Sequence, residues 1–276
     1  NVLTKIFNIK LATPNKKLNC EISSKDNNYR NKIKFCLSPP NGNNNIYLIG
    51  DSHASHHFFM MEEVVKNLNK NFLFVNSRRD SDFPQSFVKK NNIENTDLIL
   101  NEILTNIVKN DVIVVSVHKG RFNRWRDRHV DLKKKFRLGK KAVNFKNNLD
   151  FFIKSVHKKG GTVILIVDTP LLKYITPIEN CYLQEKIFRT NDCSVKFDQD
   201  KKTAENQVSI YENLKFVNTN VFIFNPNIFL YENQFFNPIS QYFDYKMVDW
   251  HHLNQIYSKE ILTRPFLNFL KNNIKN

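Results

Sequence analysis

The chain has 276 residues, 41% of them hydrophobic and 13% aromatic, which is enough apolar material for one large core and excludes a disordered protein. Its 42 Lys and Arg against 26 Asp and Glu give a formal charge of +16, which implies a partner of opposite sign, whether nucleic acid, anionic lipid or acidic glycan, without choosing among them. The longest apolar runs, at 112–117 and 163–167, are only of strand length, so nothing in the chain resembles a transmembrane span.

In chain order, residues 1–45 read as an irregular lead-in rich in Asn and Lys, ending in the turn signal Pro39-Pro40-Asn41-Gly42. The first residue is Asn1 with no apolar signal segment behind it, as expected of a processed chain or a piece of a longer one. The core, 46–276, opens on Ile46-Tyr47-Leu48-Ile49, four apolar residues without alternation that predict a strand covered on both faces. Gly50 then permits a tight turn. Phe58, Met61, Val64, Val65 and Leu68 fall at helical spacing and predict a helix over 54–68, which places Ser52 at a strand-to-helix junction. At such a junction the first helical N–H groups lack intrahelical partners and the dipole is positive, so negative charge developing on a substrate oxygen is stabilised there. From these residues alone, Asp51 and Ser52 serve equally well as simple helix caps.

A second short strand follows at 72–75, then a polar loop through Pro84, a helix over 93–108 and a third strand at 112–117. After a basic loop come a helix over 143–157 stopped by Gly160-Gly161, a fourth strand at 162–167, and an irregular excursion over 169–202. A helix over 204–216, a fifth strand at 221–224 and an aromatic irregular stretch to 246 lead into Asp249-Trp250-His251-His252-Leu253 and a terminal amphipathic helix over 255–270. Strands alternating with helices predict α/β architecture: a single three-layer α/β/α domain with a mainly parallel sheet of about five strands. Ligands of such sheets bind beyond the carboxyl ends of the strands, at the switch point. The long irregular segments 118–142, 169–202 and 225–248 all leave that edge.

Four cysteines form two local pairs, Cys20 with Cys36 and Cys181 with Cys193, each in a polar stretch. Two disulfides are expected, each stabilising by roughly 3 kcal/mol in the chain-entropy model, and they favour an oxidising compartment outside the cytoplasm.

A serine is a poor nucleophile until a base removes its proton, and that base needs an orienting group. Asp249 and His252 supply such a pair, because an Asp three residues before a His supports the imidazole within one short turn. Gly50-Asp51-Ser52-His53-Ala54 near the start of the core, with Asp249-x-x-His252-Leu253 near its end, resembles the SGNH (GDSL-type) hydrolase family, a flavodoxin-like fold. More narrowly it is similar to the SGNH domain fused behind the membrane-embedded acyltransferase 3 domain of bacterial surface-polysaccharide O-acetyltransferases. The resemblance covers residues 20–270 in outline, and only the two end blocks are specific. It implies Ser52 as nucleophile, His252 as base, Asp249 as its partner, and the Ser52 N–H in the oxyanion hole. The family adds a Gly after the second strand and an Asn after the third. Here Asn76-Ser77-Arg78-Arg79 and Ser116-Val117-His118-Lys119 stand instead, and His118 is the expected substitute donor.

The resemblance further implies acyl transfer, of acetyl, through an acyl-Ser52 intermediate to hydroxyls of a cell-surface polysaccharide or glycolipid such as lipopolysaccharide. The implied donor is acetyl-CoA by way of a membrane acyltransferase domain, fused upstream or separate, with no cofactor bound in this domain. An extracytoplasmic, periplasmic or cell-surface location follows, membrane-tethered if fused, and nucleic acid is not an expected partner. A carbohydrate esterase acting as a deacetylase uses the same residues with water as acceptor. Outside enzymes, the alternative is a non-catalytic glycan-binding module on a degenerate hydrolase fold. His53 and His57 lie one helical turn apart, but no acidic residue sits between them in the metalloprotease manner, so no metal is expected.

Between Lys119 and Lys141 there are eleven Lys or Arg residues against Asp127 and Asp131, a local surplus of nine. Phe122 and Trp125 are interleaved with Arg121, Arg124, Arg126 and Arg128. Guanidinium groups pair with carboxylate or phosphate, and an aromatic face lies against a sugar ring. This segment is expected to guide an acidic glycan or an anionic lipid headgroup toward Ser52, or else to be a solvated basic loop with Trp125 tucked into the core.

Overall fold

The computed structural model describes residues 20–23, 27–37, 44–76, 95–122, 140–172, 181, 193–239, 246–249 and 251–274. The chain runs β1 (Glu21–Ser23), α1 (Tyr29–Leu37), β2 (Asn45–Gly50), α2 (Ser52–Ser55), α3 (Phe58–Leu68), β3 (Asn71–Asn76), α4 (Asn95–Asn106) and β4 (Val112–Ser116). It continues through a 3-10 turn (Lys119–Arg121), α5 (Lys140–His157), β5 (Thr162–Ile166), β6 (Val195–Lys196) and α6 (Phe197–Val217). β7 (Val221–Phe224), α7 (Asn227–Leu230), β8 (Phe235–Phe236) and α8 (Gln255–Asn273) complete it. Six strands form one sheet in the order β1-β3-β2-β4-β5-β7, every pair parallel, while β6 and β8 make a small antiparallel ladder.

The period of two along a strand sorts the apolar residues into two layers. Tyr47, Ile49, Val75, Ile113 and Val115 face one side, against Ile33 of α1, Ile103 of α4, Leu149 and Phe152 of α5, and Tyr211 and Leu214 of α6. Ile46, Leu48, Phe74, Val112 and Val114 face the other, against Met61 and Val64 of α3 and Leu262 and Phe266 of α8. The central strands are thus apolar on both faces, which is why they show no alternation in sequence.

The sheet has six strands rather than five. The added strand, β1, lies in the segment expected to be irregular, where three residues are too few to show a period, and it pairs with β3 at Glu21↔Phe74. Cys20 is bonded to Cys36 of α1, and Cys181 to Cys193, as their spacing predicts. α6 begins at Phe197, inside the expected excursion, because its first turn is polar and carries Asp200 into the interior. α5 ends at His157 with Gly160 at φ +79°, the left-handed conformation that favours glycine at a helix stop. Among the described residues no helix is long and apolar enough to cross a membrane.

The chain moves from β2 outward to β3 and then back across to β4, so the switch point lies between the carboxyl ends of β2 and β4. Gly50 stands there, and its φ is not positive. The glycine is required by close approach: a Cβ would lie 1.8 Å from the Ser116 carbonyl oxygen of β4 and 2.9 Å from Ala54 Cβ. Backbone cannot yield as a flexible side chain does. Gly50→Ala is therefore expected to cost at least about 3 kcal/mol, the upper end for an overpacked core, measured as a lowered denaturant midpoint. A shift below a third of that would show that β2 and β4 can separate.

Candidate active site

Asp51 caps α2. Its Oδ1 accepts the His53 N–H at 2.9 Å, which turns the chain sharply and leaves Ser52 exposed as the first residue of the helix. Just before α8, Asp249 builds a second turn: its Oδ1 accepts the backbone N–H groups of His251 (2.9 Å) and His252 (2.8 Å). The Val248 N–H closes the turn on the His252 carbonyl at 2.7 Å. Asn254 then caps α8, accepting from Ile256 and Tyr257. These two turns bring the three predicted residues together. The Ser52 hydroxyl donates to His252 Nε2 at 3.0 Å, and His252 Nδ1–H donates to Asp249 Oδ2 at 2.6 Å. The carboxylate acceptor fixes the tautomer, with the lone pair of Nε2 toward serine.

Burial alone would raise the Asp249 carboxyl, but the hydrogen bonds from His252 and the His251 backbone, with the charge of His252, outweigh it and hold it below the ordinary carboxylate range. Asp249 is therefore an anion wherever His252 has to hold a proton.

Beneath the serine lies a layer of buried charge that sequence reading did not find. Asp51 Oδ2 accepts the His118 N–H at 3.1 Å and Arg121 Nε–H at 2.7 Å, tying the nucleophile turn to the segment after β4. His53 Nδ1–H donates to Asp168 Oδ1 at 2.6 Å, and Asp168 Oδ2 accepts the Lys119 N–H at 2.9 Å. Lys119, fully buried, donates through Nζ to Asp200 and to the Thr169 carbonyl. Burial would raise Asp51 and Asp168, yet Arg121 and His53 keep the first, and His53 above all the second, below the ordinary range. Burial would likewise lower His53, but Asp168 and Asp51 overcome it and raise its pKa. The one available signal was local: Asp168 directly follows the apolar run 163–167.

Six of the eight histidines gather here: His53, His56, His57, His118, His251 and His252. Burial holds His57 and His251 down to about 4 and His118 to about 3, and pushes His56 well below its usual value. His57 Nδ1 meets Ser258 Oγ at 3.3 Å, so the expected helical neighbours His53 and His57 point to different partners.

The other expectations divide. The His118 backbone N–H is committed to Asp51, and its ring packs 4.4 Å from that of His53. Asn76, at the end of β3, donates to Ser55 Oγ at 3.4 Å and Glu21 Oε1 at 3.3 Å. Arg121, expected to meet substrate, instead turns inward to Asp51, because a buried carboxylate needs a cation more than the solvent edge does. Lys119 turns inward in the same way, and Phe122 is core, packed on Phe145 and Tyr211. Arg124, Trp125, Arg126 and Arg128 lie outside the described residues.

A family model for the SGNH domain (fused to AT3 domains) matches residues 19–264. Among solved structures, the chain is similar to the periplasmic domain of a lipopolysaccharide acetyltransferase from Salmonella ser. Paratyphi A, with a TM-score of 0.59 and 18% identity over 92% of this chain and 90% of that one. It is also similar to a proposed acylhydrolase from Bacteroides fragilis, with a TM-score of 0.52 and 7% identity over 91% of this chain and 98% of that one. At these identities the likeness speaks for the fold. No curated protein sequence matches the chain.

Proposed function

The chain belongs to the SGNH domain family that occurs fused to AT3 domains, and from that premise we propose that it transfers an acyl group, acetyl by preference, to hydroxyls of a cell-surface polysaccharide or glycolipid. The observation that carries this reading is the unbroken hydrogen-bonded chain from exposed Ser52 through His252 to Asp249. Ser52 Oγ attacks the acyl carbonyl while His252 Nε2 takes its proton, and Asp249 stabilises the imidazolium so formed. The tetrahedral oxyanion draws on the Ser52 N–H at the start of α2. Collapse breaks the bond to the leaving group, which receives the proton from His252. A sugar hydroxyl then gives its proton to His252 and attacks acyl-Ser52; collapse breaks the acyl–Oγ bond, and His252 returns the proton to Ser52 Oγ, leaving the acylated sugar and the free serine.

The family's fusion partner supports a membrane acyltransferase domain as the source of the acyl group, with acetyl-CoA as the ultimate donor. The similar lipopolysaccharide acetyltransferase domain supports a glycolipid acceptor. Two disulfides support an extracytoplasmic setting. Hydrolysis is the second reading, because the exposed serine admits water by the same path, and the acylhydrolase-like fold favours it.

Loading Ser52 from an activated acetyl ester and chasing with a bacterial surface polysaccharide tests the two together. Transfer predicts acetylated polymer formed faster than free acetate; an esterase gives free acetate at an unchanged rate when polymer is added. Failure of Ser52 to react with a fluorophosphonate probe would overturn both and leave a glycan-binding module.

A further inference from the structure

Three imidazoles converge beside Ser52 from distant parts of the chain: His53 from α2, and His251 and His252 from the turn before α8. One ligand nitrogen of each lies within 4.8 Å of the others. Their ring centroids stand 5.3 Å (His53 to His251), 5.2 Å (His53 to His252) and 3.7 Å (His251 to His252) apart. Two of them are also held by a carboxylate through Nδ1, His53 by Asp168 at 2.6 Å and His252 by Asp249 at 2.6 Å, while His251 Nδ1 lies 3.3 Å from Asp249 Oδ1. A carboxylate on one ring nitrogen fixes the ring and makes the other nitrogen a better donor, which is how metal-binding histidines are supported. A fourth imidazole, His56, lies 4.6 Å from His53 and 5.1 Å from His252, buried, and neither of its ring nitrogens has a hydrogen-bond partner among the described residues.

We propose that His53, His251 and His252 form a site for a divalent transition-metal ion of the Zn2+ class, and that an ion bound there silences Ser52. Imidazole nitrogen suits zinc, copper and nickel, and suits magnesium and calcium poorly. Zn–N bonds of about 2.0–2.1 Å set neighbouring ligand nitrogens roughly 3.4 Å apart in a tetrahedron, so nitrogens that already lie within 4.8 Å of one another have at most about 1.4 Å to draw together on binding. The His252 Nε2 lone pair that would bind the metal is the one that must accept the Ser52 proton. Metal binding and nucleophile activation are therefore mutually exclusive. The helical pair His53 and His57 is not the basis of this site, since His57 faces Ser258; the fold supplies the partners that the local spacing lacks.

The test uses the whole chain, stripped with EDTA and titrated with Zn2+, Co2+ or Mg2+. Binding is read from the visible absorption of four-coordinate Co2+ and from competition with a chromophoric chelator, independently of the rate at which a fluorophosphonate labels Ser52. One equivalent of Zn2+ is expected to bind and to slow labelling at least about tenfold, while Mg2+ does neither. His251→Ala and the bulkier His251→Gln are each expected to weaken Zn2+ binding by at least about tenfold, the loss that even an outer-shell partner causes, while still labelling in the absence of metal. Zn2+ affinity unchanged in both variants, no stoichiometric binding, or bound Zn2+ with undiminished labelling would each overturn the proposal. A chain that binds Zn2+ through His251 yet never labels at Ser52 supports the metal site and overturns the acyl-transfer reading on which the silencing rests.

Discussion

Ser52→Ala and His252→Ala are each expected to lower ester turnover by about 10⁶-fold, because members of such a unit fail together and each alone costs nearly what removing all of them costs. Ser52 is exposed, so its loss leaves the core untouched. Asp249→Asn is expected to fall by about 10⁴-fold. The amide can still accept the backbone N–H groups of His251 and His252, but it no longer favours the tautomer whose Nε2 lone pair faces Ser52. The measurement is initial-rate hydrolysis of an activated ester by variants whose far-ultraviolet circular dichroism matches the parent. His251 is the control: it touches the same carboxylate at 3.3 Å, but the structure gives Ser52 to its neighbour. If His251→Ala proved as damaging as His252→Ala, the assignment of the base would be wrong.

The two turns that make this constellation were legible because each carries its own geometry. A strand ending in Gly-Asp-Ser before a helical period puts a capping carboxylate and an exposed hydroxyl in fixed places. An Asp three residues before a His closes on the N–H groups two and three residues ahead of it, as Asp249 does on His251 and His252. The central strands were equally plain, since burial on both faces leaves an unbroken apolar run. What local pattern cannot carry is pairing at a distance. Lys119 and Asp200 are 81 positions apart, and each sits in a polar stretch that reads as surface. For the same reason the basic segment after β4 reads in sequence as a substrate guide or a solvated basic loop, when its first two cations, Lys119 and Arg121, pair with the buried carboxylates of Asp200 and Asp51. β1 was missed on length alone: three residues hold a register only because β3 is there to pair with them.

Removing the cation from the buried layer is expected to be the most destabilising of the isosteric changes. Lys119→Met keeps the volume of a side chain with no exposed surface but takes the cation from the buried Asp200 carboxyl group, which keeps neutral donors such as the Leu171 N–H at 3.2 Å and Thr203 Oγ1 at 3.1 Å. Breaking one side of such a pair costs about 3–5 kcal/mol, whereas replacing both charges is often neutral. In a chain of this size that corresponds to a drop in melting temperature of roughly 10 °C. The damage reaches the site, because the Lys119 N–H holds Asp168, which holds His53, while its neighbour His118 holds Asp51. Asp200→Asn keeps an oxygen for Leu171 and Thr203 and removes the orphaned charge. The double variant Lys119→Met with Asp200→Asn is therefore expected to recover at least half of the lost stability, as a coupling energy in a double-mutant cycle from urea unfolding. A single Lys119→Met within about 1 kcal/mol of the parent, the range of an exposed pair, would mean that water reaches Asp200 and that the layer beneath Ser52 is not sealed.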